Sequence, residues 1–151
     1  MAFRYYPGFS VKHQSYKSTT GQDFTGTTEA VYTSIGNPIV FDKLRDASTS
    51  KLLFISYGKI FDAAGYLLSI GFKLRVGTNT SGTEIGRGDS YDLYHSTSTP
   101  HRTGRHCHMT TDEVTNLGSG NQNFVITGKR NGYSSPQSIS FWQLHIFEVL
   151  K

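Results

Sequence analysis

Between Tyr66 and Val76 the chain reads YLLSIGFKLRV, with Tyr66, Leu68, Ile70, Phe72, Leu74 and Val76 at every second position and Ser69, Gly71, Lys73 and Arg75 between them. Successive side chains of an extended strand point to opposite faces, so a period of two gathers these six apolar residues on one face and demands a core to cover it. Just upstream, Leu52 to Phe61 reads LLFISYGKIF and is rich in β-branched and aromatic residues. The intervening Asp62-Ala63-Ala64-Gly65 has the length and the glycine of a hairpin loop, so the two runs are expected to form a hairpin at the centre of a β-sandwich.

Elsewhere the chain carries the same signature in shorter pieces. Ala30 to Ile35 and Ile39 to Phe41 flank the turn Gly36-Asn37-Pro38. GTNTSGTEIGRGDS after Val76 reads as a polar, glycine-rich loop with a short strand near Glu84 to Gly86, and Tyr91 to His95 reads as a further strand. Arg105 to Val114, Phe124 to Thr127 and the closing SISFWQLHIFEVLK complete a set of eight or nine strands separated by turns. Only 17% of the residues are charged, and Gly, Ser, Thr, Tyr and Phe are abundant, which suits an all-β protein rather than one with long helices. With 151 residues the chain is the size of one domain, able to bury about 70% of its unfolded surface. Cys107 is the single cysteine, so no intrachain disulfide contributes and stability must come from the core or from association.

Residues 1–28 differ from the downstream segments. They mix Phe3, Tyr5, Tyr6, Phe9, Tyr16 and Phe24 with polar residues and Pro7 and sustain no period of 2 or 3.6. The expected organisation is an extended N-terminal arm over 1–28 and a single jelly-roll-type antiparallel β-sandwich over 29–151. Phe3, Arg4, Tyr5, Tyr6 and Phe9 combine aromatic and basic groups in the manner of interface anchors, so the arm is expected to lie on a partner. An irregular first strand is the alternative. In the last segment Trp142, Leu144 and Ile146 occupy one face and Ile139, Phe141, Phe147 and Val149 the other. Because one sandwich covers only one face, Phe141, Trp142, Leu144 and Ile146 are expected at an oligomer interface.

These patterns are similar to the small jelly-roll domains of viral and phage capsid decoration proteins and fibre heads, which share a general plan with the trimeric TNF and C1q-like folds. The segments that carry the resemblance are KLLFISYGKIF, YLLSIGFKLRVG, NFVITGKRNG and SISFWQLHIFEVL, spanning roughly residues 50–151. The resemblance implies a homotrimer and a virion structural protein, a capsid decoration or cement protein that attaches to the shell. The other function class it implies is a fibre-head adhesin or lectin whose loops meet a receptor or glycan.

Other chemistries find little in the sequence. The net charge of +4 is spread over fifteen Lys and Arg without a basic run, which argues against a nucleic-acid partner. No stretch reaches about 18 apolar residues, so no membrane span is expected. The N-terminus has no signal-peptide core, and synthesis in a host cytoplasm with later incorporation into a virion is expected. No nucleophile elbow, phosphate loop or dinucleotide fingerprint is found, so neither an enzyme nor a cofactor is expected. Arg87-Gly88-Asp89 matches a tripeptide that integrins recognise and is expected in a loop, where ordinary turn chemistry also explains it. His106 and His108 would share one face of a strand, with Cys107 on the other as a small buried hydrophobe. Two imidazoles fall short of the three or four ligands zinc usually takes, and exposed strand histidines rather than a metal site are expected.

Overall fold

The computed structural model describes residues 10–25, 28–62, 69–91, 102–111, 116–130 and 137–151. The side chains of 10, 59–62, 69–70, 87–91, 102–111, 130 and 137–141 are outside that description. The described residues form ten strands: β1 (Ser10–Ser18), β2 (Gln22–Phe24), β3 (Ala30–Val31), β4 (Ile39–Lys43), β5 (Ser50–Asp62), β6 (Ser69–Val76), β7 (Thr83–Tyr91), β8 (Arg102–Thr111), β9 (Gly120–Arg130) and β10 (Gln137–Leu150). A single 3-10 turn, Thr33–Ile35, interrupts them.

All pairings among these strands are antiparallel and fall into two sheets. Sheet A runs β1-β10-β5-β8, with β2 also on β10, and sheet B runs β3-β9-β6-β7, with β4 also on β9. Four positions in each sheet, filled by a chain that passes back and forth between them, is the order of a jelly roll. The β-sandwich read from the sequence is therefore present, but its central hairpin is not. β5 lies between β10 and β8, while β6 lies between β9 and β7 in the other sheet. Each has both edges occupied by other strands, so β5 and β6 do not pair with one another.

Residues 10–18 and 22–24 are strands of the sandwich and not part of an arm. β1 pairs with β10 from Ser10↔Val149 to Ser18↔Trp142, and β2 continues along the same strand from Phe24↔Gln137 to Gln22↔Ile139. The described part of residues 1–28 thus belongs to the sandwich, and the alternative of a first strand holds from Ser10 onward. Phe3, Arg4, Tyr5, Tyr6 and Phe9 lie outside the described residues. Among the described residues no helix is long and apolar enough to cross a membrane.

The core lies between the sheets. Sheet A sends in Leu52, Phe54, Trp142, Leu144 and Ile146, and sheet B sends in Ile39, Phe41, Phe72, Leu74, Phe124 and Ile126. Ring contacts bridge the layers, with Phe54 and Phe124 centroids 5.0 Å apart and Phe72 and Trp142 4.7 Å apart. Phe72 and Leu74 lie in the core, as the alternation of their segment predicts, and Val76 packs against it.

This core contradicts the interface assignment for β10. Trp142 is 1% exposed and Leu144 and Ile146 are 0% exposed within one chain, so they cannot meet a second subunit. Phe141 has its backbone in β10 and its side chain outside the described residues. Both rows of β10 are apolar, and alternation alone does not say which one the partner sheet takes.

Candidate assembly surface

Turning Trp142, Leu144 and Ile146 inward turns Gln143, His145, Phe147 and Val149 outward. On β5 the buried Leu52 and Phe54 likewise leave Lys51, Leu53, Ile55 and Tyr57 on the outer face. The register lays these rows side by side: Val149 opposite Lys51, Phe147 opposite Leu53, His145 opposite Ile55 and Gln143 opposite Tyr57. β1 extends them with His13 opposite Phe147, Ser15 opposite His145 and Lys17 opposite Gln143. Leu53, Ile55, Phe147 and Val149 are half-buried, and Tyr57 is 37% exposed. Cross-strand neighbours cover each other's flanks, but the faces of these side chains remain toward solvent, which makes an apolar surface two strands wide, on β5 and β10, bordered by the polar row His13, Ser15 and Lys17 of β1.

The outer face of sheet B is built differently. The Glu29 carboxylate accepts hydrogen bonds from Arg75 Nε at 2.7 Å and Nη2 at 3.0 Å, and from the Thr127 hydroxyl. Lys73 Nζ lies 3.2 Å from Glu29 and 3.3 Å from Glu84. Burial pushes the Glu29 carboxyl up, but the hydrogen bonds from Arg75, Thr127 and Lys73 and the charge of Arg75 outweigh it and bring the pKa down to about 2. A face whose charges already satisfy one another offers little to a partner. The apolar face of sheet A is the stronger candidate for association.

At the edge of that face β1 is clasped to β4 across the opening of the sandwich. Lys12 Nζ donates to Asp42 Oδ2 at 3.0 Å and also to its carbonyl, and it stands 5.2 Å above the centroid of Phe41. The Tyr16 hydroxyl donates to the Val40 carbonyl, and burial pushes its pKa up to about 12. Beside this edge the rings of His13 and Phe147 stack with centroids 4.3 Å apart and planes 13° from parallel. His13 Nε2 lies 3.1 Å from His145 Nδ1. Desolvation, with the charge of His145 second, lowers the His13 pKa and favours its neutral imidazole.

A buried polar cluster at the far end of β10 holds the β4–β5 loop. Glu148, fully buried, accepts from the backbone N–H groups of Leu44 and Arg45 and from the Ser50 hydroxyl, each at 2.8 Å. Lys43, 1% exposed, donates to the Arg45 carbonyl at 2.6 Å and to Ser50 Oγ at 2.9 Å. Each charged group is thereby hydrogen-bonded, as burial requires, and the role is to fix the loop.

The remaining predicted residues are scattered. Arg87, Gly88 and Asp89 lie in β7 and pair with Lys73, Phe72 and Gly71, so their backbone is a strand and not the exposed loop expected for a receptor tripeptide. His106 and His108 lie in β8 opposite Gly58 and Ser56, and Cys107 lies opposite Tyr57; their side chains are outside the described residues. Among the described residues no group of three or more His, Cys, Asp or Glu is placed to hold a metal ion. Sequence reasoning missed the His13–His145 contact because it joins residues 132 positions apart, one of them in the supposed arm. It also missed Glu148, although that residue continues the every-second-position row Trp142, Leu144, Ile146.

No protein-family model matches the chain, and no curated protein matches it in sequence. Among solved structures it is similar to dimeric latent PorU from Porphyromonas gingivalis, with a TM-score of 0.52 at 10% identity. That likeness covers 95% of this chain and 13% of PorU. The chain is a jelly-roll β-sandwich. Weaker likenesses are to the T13 particle of infectious bursal disease virus (IBDV), with a TM-score of 0.43 at 15% identity over 91% of this chain and 31% of that one, and to a carbohydrate-binding domain, CBM36-1, of a multidomain xylanase from the hindgut metagenome of Trinervitermes trinervoides, with a TM-score of 0.36 at 14% identity over 89% and 96%. At these identities the likeness concerns the fold.

Proposed function

We propose that the chain is a structural subunit of a virion, a decoration or cement protein of the capsid, whose copies associate through the outer face of sheet A. The observation that carries this reading is the apolar surface formed by Leu53, Ile55, Tyr57, Phe147 and Val149, set against an opposite face on which Glu29, Lys73, Arg75 and Glu84 pair with one another. A monomeric binding module keeps such a surface small, whereas a subunit buries it against its neighbours. A homotrimer, which places the same face of each copy around one axis, is the assembly we expect.

The test is light-scattering mass of the purified chain together with a glycan array. A multiple of the chain mass and no glycan signal support the structural role. A monomer that binds a defined glycan, with binding lost in Tyr57→Ala, overturns it in favour of an adhesin or lectin.

A further inference from the structure

We propose that His13 and His145 form a bidentate site for a transition-metal dication, Cu²⁺ or Ni²⁺, at the β1 rim of sheet A. The two donor atoms, His13 Nε2 and His145 Nδ1, stand 3.1 Å apart. Two imidazole nitrogens bound side by side to one metal at about 2.0–2.1 Å are separated by about 2.9 Å at a right angle and about 3.3 Å at the tetrahedral angle. The pair is therefore already spaced for a common ion.

The backbone sets that spacing. His13 pairs with Phe147 and His145 with Ser15, so the histidines are diagonal neighbours on one face of adjacent antiparallel strands. The Phe147 ring stacks on His13 with centroids 4.3 Å apart, and its centroid is 6.2 Å from that of His145. In the metal-free pair one ring donates to the other. A tautomer change in the donor ring moves that proton to its other nitrogen and presents both lone pairs to the ion without any net proton loss from the neutral pair. A turn of either imidazole about its broad χ2 well brings the lone pairs to one point. Imidazole suits borderline metals and not Mg²⁺ or Ca²⁺, and water fills the remaining positions, since the described residues supply two ligands here. His13 is exposed, so an ion has direct access.

The test is calorimetric titration of the full chain with Ni²⁺ and, as a control, Mg²⁺, in wild type, His13→Asn, His145→Asn, the double variant and His106→Asn/His108→Asn. We expect saturable binding of one Ni²⁺ per chain and none of Mg²⁺. Each single variant should weaken Ni²⁺ binding at least tenfold and the double variant should abolish it, while the β8 variant should bind as wild type does. Substoichiometric Ni²⁺ added to wild type should shift and broaden the ring proton resonances of His13 and His145 before those of any other histidine, a readout independent of how the variants fold. Absence of saturable binding, wild-type affinity in the double variant, or a first shift at other histidines would overturn the assignment.

Discussion

A Cβ built on Gly58 would lie 2.2 Å from the six-membered ring of Trp142, a distance no pair of carbon atoms tolerates. Gly58 sits in the inward row of β5, directly across from Trp142, and the indole lies over the space a side chain would need. Gly58→Ala is therefore expected to cost about 1–3 kcal/mol by overpacking, measurable as a lower denaturant midpoint. Phe72, between Phe24 and Trp142, represents the opposite change: Phe72→Ala opens a cavity and should cost about 3–5 kcal/mol. Lys73→Ala, which removes partly exposed ion pairs, should cost within about 1 kcal/mol. That order is legible in the sequence, because alternation fixes which of two neighbours is inside. The Glu29 network is not, since Glu29 lies 46 residues from Arg75 and only the fold joins them. It has a pH consequence. The folded pKa of about 2 lies below the ordinary 4.5, so the stabilisation is complete above pH 4.5 and is lost as pH falls toward 2. It should amount to about 2–3 kcal/mol, and a Glu29→Gln variant measured across this range should be less stable than wild type at pH 7 and converge with it near pH 2.

Strand existence is easier to read than strand partnership. β5 and β6 are recognisable from composition and period, yet the glycine-containing segment between them suggests a hairpin where the chain crosses to the other sheet. A period of two names the buried face and is silent about which edge it meets. The same limit explains β10, whose two apolar rows leave the inner one undetermined until Phe72, Tyr32 and Gly58 are seen packed around Trp142. β1 is hidden because His13, Gln14, Ser15 and Lys17 are exposed and give the strand little apolar alternation; its pairing comes from β10. Truncation separates these elements. Removing residues 1–9 should leave the melting temperature within a few degrees of the full chain, whereas removing 1–18 strips β1, uncovers one edge of β10, breaks the Lys12–Asp42 and Tyr16–Val40 clasp and should prevent cooperative melting. Equal melting of the two truncations would mean that β1 contributes nothing to the sandwich.

At the level of the whole molecule, among the described residues the outer face of sheet B carries the paired charges of Glu29, Lys73, Arg75 and Glu84 while that of sheet A carries an apolar field, and the proposed association rests on this asymmetry. Sequence predicts that the C-terminal strand contributes to association but points to its core-facing row. The two-sheet packing buries that row, so the association we propose falls to the outward row, Phe147 and Val149, and to Ile55 and Tyr57 beside them on β5. Ile55 is near the middle of the field, opposite His145, and its side chain is absent from the core cluster. A charge placed there should block association without unfolding the chain. The decisive measurement is sedimentation velocity over a concentration series for wild type and Ile55→Lys, with circular dichroism as the control for folding. The account predicts a wild-type oligomer, with a trimer expected, and a folded monomer for Ile55→Lys; a wild-type chain that stays monomeric at every concentration, or an oligomer that Ile55→Lys leaves intact, would contradict it.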